Sequence, residues 1–292
     1  MKYSFITQHK NTYPISLQCQ VLGVKRQGYY HYRRYTETKP ADPEHQDMLN
    51  WVKEIAKASD DTYGSRRMKV ALNCLGFPVS RNKAKNLMKE ADVKVKRRKK
   101  YKVTTHSDHQ HSVFDNLLER DFDVAEVDQV YVADITYIWT QEGWLYLAVV
   151  IDCCSRKVVG WSMSSRMKAQ LVCDALSMAI WQRKPKPGLI HHSDRGTQYA
   201  SKKVKKLLKQ HNFKGSMSRK GNCWDNAVAE SFFGSLKQER VQWRHYQTRQ
   251  EAQQDILNYI AVFYNNYRLH STLGYVSPMN YEKQLLEVKT AA

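Results

Sequence analysis

Three carboxylates carry the chemistry most readily read from this chain: Asp134 in VYVADITYI, Asp194 in IHHSDRGTQY and Glu230 in DNAVAESFFGSLK, with thirty-five residues between the last two. Hard divalent cations take oxygen ligands. Two of them, about 3.5–4 Å apart, can clamp the attacking and leaving oxygens of an in-line phosphodiester displacement. Spacing alone says little, because 28 of the 292 residues are acidic. The neighbourhoods say more. Asp134 interrupts an apolar run, where a carboxylate is costly unless it is paired or holds a metal. Glu230 sits among Val228, Phe232 and Phe233, and Asp194 in Ser-Asp-Arg-Gly-Thr has the chemistry of a turn or helix cap as well as of a ligand. Two rival acids read as structural: Asp152 ends a strand, and Asp225 stands where an N-terminal helix cap belongs. His191 and His192 invite zinc, but no Cys or His recurs at zinc-ligand spacing.

The elements around these acids follow from periodicity. Residues 130–139 and 144–151 read as a hairpin closed at Gln-Glu-Gly, and 157–163 as a third strand. Apolar spacing predicts a helix over 169–181, ended by Pro185, Pro187 and Gly188. A strand over 188–192 then leads to Asp194, followed by a basic helix over 202–210, a strand over 213–217, and a helix from about 225 to 240 that carries Glu230. This order makes a mixed sheet with helices against it, and the crossover rule puts the fourth strand beside the first, with Asp134 and Asp194 as neighbours. Such an arrangement resembles the ribonuclease-H-like fold of retroviral integrases and cut-or-copy transposases.

Five ordered blocks then bring the resemblance closer. VYVADITYI, GWLYLAVVIDCCSRKVVGW, HHSDRGTQY, KGNCWDNAVAESFFGSLKQE and YNNYRLHSTLGYVSP, spanning residues 126–280, resemble the catalytic core of bacterial insertion-sequence transposases of the IS-three family, specifically the second-reading-frame product. Tyr131 stands where that family more often has Trp. The resemblance implies that Asp134, Asp194 and Glu230 are both the catalytic triad and the ligands of two Mg²⁺ ions, for which Mn²⁺ could substitute. It also implies that Lys237 is a DNA contact and that the reaction is 3′-end cleavage followed by strand transfer. Two alternatives share part of this pattern: a ribonuclease-H-type structure-specific nuclease, and a non-catalytic DNA-binding relic of a transposase. The first would not need basic helical modules upstream, and the second would lose an acid; all three acids are present.

Charge agrees with a polyanionic partner. The net charge is +19, with 24 Lys and Arg against 14 acids in residues 1–125 and 23 against 14 in the remainder. Both halves are basic, which suits a protein that lies along double-stranded DNA. Helical spacing places Asn226, Glu230 and Lys237 on one face. Asn265, Asn266, Arg268 and His270, beside Tyr264, make a polar cluster that suits phosphates and base edges, or alternatively an ordinary basic helix end. Upstream, residues 1–38 read as a short helix-turn-helix segment and 45–93 as a second such module. Arg81, Lys83, Lys85 and Lys89 are set there to meet phosphates. Residues 94–125 read as a basic linker whose run Lys94–Lys102 includes Arg97 and Arg98, and 281–292 as a C-terminal tail.

The fold class expected is therefore α/β, a ribonuclease-H-like mixed sheet of integrase type with flanking helices, preceded by small all-helical modules. The expected partners are the terminal inverted repeats of a mobile element, target DNA, further copies of the chain on DNA, and a protein from an upstream frame. The six cysteines show no disulfide framework and read as reduced thiols. MKYSFITQHKN has no apolar core for a signal peptide, and Trp144–Ile151, the longest apolar stretch, is far short of a membrane span. A cytoplasmic, nucleoid-associated protein is expected.

Overall fold

A computed structural model of the chain describes residues 1–38, 42–96, 114–219 and 223–291. It divides into two compact units, Met1–Asn50 and Trp51–Ala292, and the division falls inside a helix, α4 (Pro43–Ala58).

In the first unit α1 (Lys2–Gln8), α2 (Ile15–Val21) and α3 (Arg26–Thr38) meet around Ile6, Cys19 and Tyr29. α2 and α3 are the helices expected here, whereas α1, short and without a side-chain cap, carries no such signal in its sequence.

The second unit holds α5 (Ser65–Cys74) and α6 (Arg81–Glu90), followed by the sheet. Ser80 caps α6 by accepting from the Lys83 amide, as Ser at that position favours. The strands are β1 (Val130–Thr140), β2 (Gly143–Asp152), β3 (Val158–Ser164), β4 (Ile190–Ser193) and β5 (Lys214–Met217), in the order β3-β2-β1-β4-β5. β1, β2 and β3 are antiparallel neighbours, whereas β4 runs parallel to β1 and β5 parallel to β4. The parallel pair is made by a crossover through α7 (Ala169–Arg183), as the order of elements requires. α8 (Lys202–Gln210) joins β4 to β5, α9 (Ala227–Glu239) follows a 3₁₀ turn at Cys223–Asn226, and α10 (Arg249–Asn258) runs on into a π-helical stretch, Tyr259–Tyr264.

Strand alternation divides the core between the two faces. Val130, Val132 and Ile138 pack with Phe232, Phe233 and Leu236 of α9 and Ile256 of α10, while Tyr131 and Ala133 pack with Leu171, Val172 and Leu176 of α7 and Leu208 of α8. Asp134 keeps the parity of the first group, so its strand position belongs to the face that α9 covers. At Gly160 on β3 an added Cβ would stand 2.2 Å from the Ala175 carbonyl oxygen, so only glycine lets α7 lie this close.

Two expected irregular segments have structure. The last residues form α11 (Pro278–Ala291) rather than a tail, and Glu282 on it bonds Lys157, Arg183 and Ser155. Within the expected linker 94–125, residues 114–125 line the core: Leu118 is buried, and the Phe114 ring fills the space a Cβ on Gly215 would need. Residues 97–113, including Arg97 and Arg98, lie outside the described residues.

Candidate active site

The two aspartates are set by strand register. Ala133 on β1 is paired with Ser193, the last residue of β4, so Asp194 leaves β4 beside Asp134 on β1. One oxygen of each is tied to nearby backbone: the Ile135 amide donates to Asp134 Oδ1 at 2.7 Å, and the Gly196 amide to Asp194 Oδ1 at 2.9 Å. Asp134 titrates well above the usual carboxylate range. Burial is the largest cause, and the charge of Asp194 comes next, ahead of that of Glu230; the Ile135 amide and Lys237 pull the other way.

Helix α9 brings the third acid and the lysine. Its entry is fixed by Asn226, whose side-chain amide donates to the Ala133 carbonyl at 3.3 Å, one residue before Asp134. Glu230, in the first turn, is exposed at the residue level, yet partial desolvation still raises its carboxyl. Two turns on, the Lys237 ammonium lies 5.1 Å over the Tyr137 ring, its charge weakened by burial and supported by Tyr137 and Asp134. The helix then ends in a buried acid, Glu239. Arg268 grips it through Nε at 2.8 Å and Nη2 at 2.7 Å, the Tyr259 hydroxyl donates to it at 2.8 Å, and Arg67 of α5 reaches it at 3.4 Å.

Tyr199, which carried no signal beyond being an aromatic in a turn, is buried against this site. The charges of Asp134 and Asp194 push its phenol further up after burial, and among the described residues its hydroxyl has no hydrogen-bond partner. His191 and His192 are also buried and held down to about 4 by burial, so they are neutral at pH 7. His192 is spanned by Ser216 at 2.8 Å and Ser218 at 3.2 Å. Among the described residues no group of three His, Cys, Asp or Glu is gathered to hold a metal ion. Asp134 and Asp194 are nonetheless oxygen donors close enough for the charge of one to act on the other, and a hard dication held by both would relieve that repulsion. An oxygen donor set of this kind suits a hard divalent cation.

Several expected DNA contacts belong instead to the scaffold. Asn226, Asn265 and Arg268 are buried. Asn226 holds β1, Asn265 bonds both the amide and the carbonyl of Val158 at 3.0 Å, and Arg268 neutralises Glu239. Asn266 donates to the Ala261 carbonyl, and His270 bonds the Thr272 hydroxyl and is held down to about 3 by burial and nearby arginines. The polar tips of Asn226, Asn265 and Arg268 satisfy buried backbone and charge, a demand that composition does not reveal. Asn226 precedes α9 and does not share a helix face with Glu230. Asp225 is not its cap either: this buried acid clamps Arg219 and Arg120 at 2.9 and 2.8 Å, and Arg219 holds its carboxyl far below the usual range. Asp152 is structural, accepting from the Asp128 and Ser155 amides at 2.7 Å. On α6, Arg81, Lys83, Lys85 and Lys89 are all exposed.

Comparison with known proteins adds lineage to this geometry. Residues 124–223 and 230–286 match families described as integrase core domain, and 44–101 a family described as HTH-like domain. The chain is 42% identical over 98% of its length to all of transposase InsF for insertion sequence IS3A of Escherichia coli (strain K12). It is 41% identical over 91% of its length to the insertion element IS600 uncharacterized 31 kDa protein of Shigella sonnei, of which it covers 97%. Among solved structures, the HTLV-2 integrase catalytic core domain in complex with magnesium aligns with a TM-score of 0.41 and 13% identity, over 53% of this chain and 95% of that one. Identity at this level along nearly the whole chain, with integrase core matches around the paired aspartates and an HTH-like match ahead of them, places this protein in the IS3 family of insertion-sequence transposases, polynucleotidyl transferases with an integrase-type core.

Proposed function

We propose that Asp134, Asp194 and Glu230 are the catalytic acids of this transposase and hold two Mg²⁺ ions, or Mn²⁺ in their place, while it frees a 3′-hydroxyl at each element end and joins it to a second phosphodiester. The observation that carries the reading is the register-fixed pair Asp134 on β1 and Asp194 just past the end of β4, whose charges act on each other, with Glu230 and Lys237 coming from the same helix. Such ions, when bound, polarise the scissile phosphoryl group and lower the pKa of the attacking hydroxyl. The protein's own part is positional. The Ile135 and Gly196 amides fix one oxygen of each aspartate, Asn226 ties α9 to β1 beside Asp134, and Lys237 offers a phosphate a point charge across from the acids. The exposed cations of α6 supply sequence-tolerant grip on duplex DNA within the HTH-like region. Further copies of the chain on DNA and an upstream-frame protein complete the assembly, which works in the cytoplasm at the nucleoid. A strand-joining assay on oligonucleotides bearing the element ends, with Mg²⁺ and Asp194→Asn, tests the assignment. Binding should persist and joining should vanish, and joining by this variant at the wild-type rate ends the proposal.

A further inference from the structure

An aromatic strip begins under Lys237 at Tyr137 and runs along the sheet face opposite to that of the Asp134 position. Tyr137 and Trp139 on β1 and Trp144 on β2 share one sheet face, with Trp139 and Trp144 directly opposite each other near the hairpin turn, where burial on that face stops. They stay 42%, 56% and 43% exposed. Trp144 packs edge-on against both, with ring centroids 5.0 Å from Tyr137 and 4.8 Å from Trp139. Three large rings that contact one another yet remain in solvent serve no core, and a contiguous exposed apolar patch marks a binding surface. The Lys237 ammonium over Tyr137 puts a cation at the end of the strip nearest Asp134.

Ring faces beside an ammonium fit a nucleotide whose base stacks while its phosphate meets the charge. A paired base inside a duplex hides both faces in its own stack, so the ligand must be unpaired. We infer that Tyr137, Trp139 and Trp144 form a stacking platform for one or two unpaired nucleotides at the DNA end being processed, adjacent to the phosphate held at Lys237. This inference rests on the reading of Asp134 and Lys237 as the place where the strand is cut. The strip then captures the strand that frays when the end is engaged, which keeps the scissile phosphate from sliding back into the helix.

Stacking tolerates any sequence, so the probe is a short duplex with an unpaired tail carrying 2-aminopurine, set against the same duplex made blunt. The full-length protein should bind the tailed form about ten-fold more tightly and change the 2-aminopurine fluorescence. Trp139→Ala with Trp144→Ala should remove that preference and leave blunt-end affinity unchanged, while Phe at both positions should restore it. Equal affinity of wild type for the two duplexes, or full tail preference in the alanine variant, overturns the inference. So does a shift in sedimentation of the alanine variant without loss of tail preference, which would make the strip an interface between copies. Asp134→Asn separates the two readings: it should keep the tail preference while losing joining, and joining by Asp134→Asn would reject the catalytic assignment whatever the tail does.

Discussion

Asp134 and Glu239 are carboxylates served by the same helix and treated in opposite ways. Glu239 is buried at the end of α9, yet its carboxyl stays below the usual range, because Arg268, Arg67 and the Tyr259 hydroxyl more than offset the cost of burial. Asp134 is pushed up by burial and then further by Asp194 and Glu230, against which the Ile135 amide and Lys237 prevail only in part. The protein therefore neutralises one acid with its own cations and gathers like charges around the other. A buried carboxylate beside like charges is strained electrostatically, and that strain is what a bound dication would relieve. Glu239 is balanced by cations of the chain, whereas Asp134 is held among like charges.

The largest effect expected from this contrast is on activity. Asp134→Asn, Asp194→Asn and Glu230→Gln should each cut strand joining by more than about a hundred-fold, beyond what removing a mere supporting partner of a metal ligand does. Asp134→Asn should also leave the metal-free protein as stable as wild type or more so, because it deletes one of two repelling charges. A lower midpoint in thermal unfolding for this variant would break the comparison.

Glu239→Gln should do the reverse. It leaves Arg268 buried without its counter-charge and should cost about 3–5 kcal/mol in denaturant unfolding. The sign with pH follows from the lowered carboxyl. Its contribution is fully present above the ordinary value of 4.5 and is lost as pH falls through the lower folded-state value. The gap between wild type and Glu239→Gln should therefore narrow on acidification below about 4.5; a gap that widens there would mean Glu239 is not the neutralised acid described.

The sheet was legible because its signals are local. VYVADITYIWT and GWLYLAVVID are dense in strand formers around a Gly-containing turn, and β1 and β2 form within a residue or two of the expected limits. β4 beside β1 followed from topology, and with it the meeting of Asp134 and Asp194. What the sequence hid were partners distant along the chain. Nothing near Asn265 announces that Val158 needs both its backbone groups satisfied, and nothing near Arg268 announces Glu239 or Arg67. Polar residues in YNNYRLH look like DNA contacts only while those partners are unknown. Tyr199 was missed for a related reason: its hydroxyl matters only once the two aspartates are seen beside it.

Lys237 sharpens the contrast, because its charge favours the ionised form of Asp134 without offsetting burial and the neighbouring acids. Lysine offers a point charge, so Lys237→Arg should be tolerated better than Lys237→Ala or Lys237→Glu. Losing the charge should lower joining on end-bearing oligonucleotides by about ten-fold, the size of one charge-assisted hydrogen bond, with metal affinity little changed. Equal joining by wild type and Lys237→Glu would make Lys237 a surface residue.

The smallest effect separates two kinds of cation upstream of the sheet. Arg67 on α5 is occupied with Glu239 and lies over the Tyr63 ring at 5.4 Å, whereas Lys83 and Lys85 on α6 reach into solvent. Each exposed lysine that meets a phosphate releases counterions, so its removal should flatten the dependence of log affinity on log salt by about 0.9. Lys83→Ala and Lys85→Ala should thus weaken binding to duplexes of any sequence by similar amounts and leave unfolding unchanged. Arg67→Ala should behave in the opposite way, lowering stability through Glu239 while leaving the salt slope of the folded protein as it was. Titrating the three variants at several salt concentrations decides the matter, since a slope altered by Arg67→Ala and not by the lysine variants would place the DNA on the other side of this helical region.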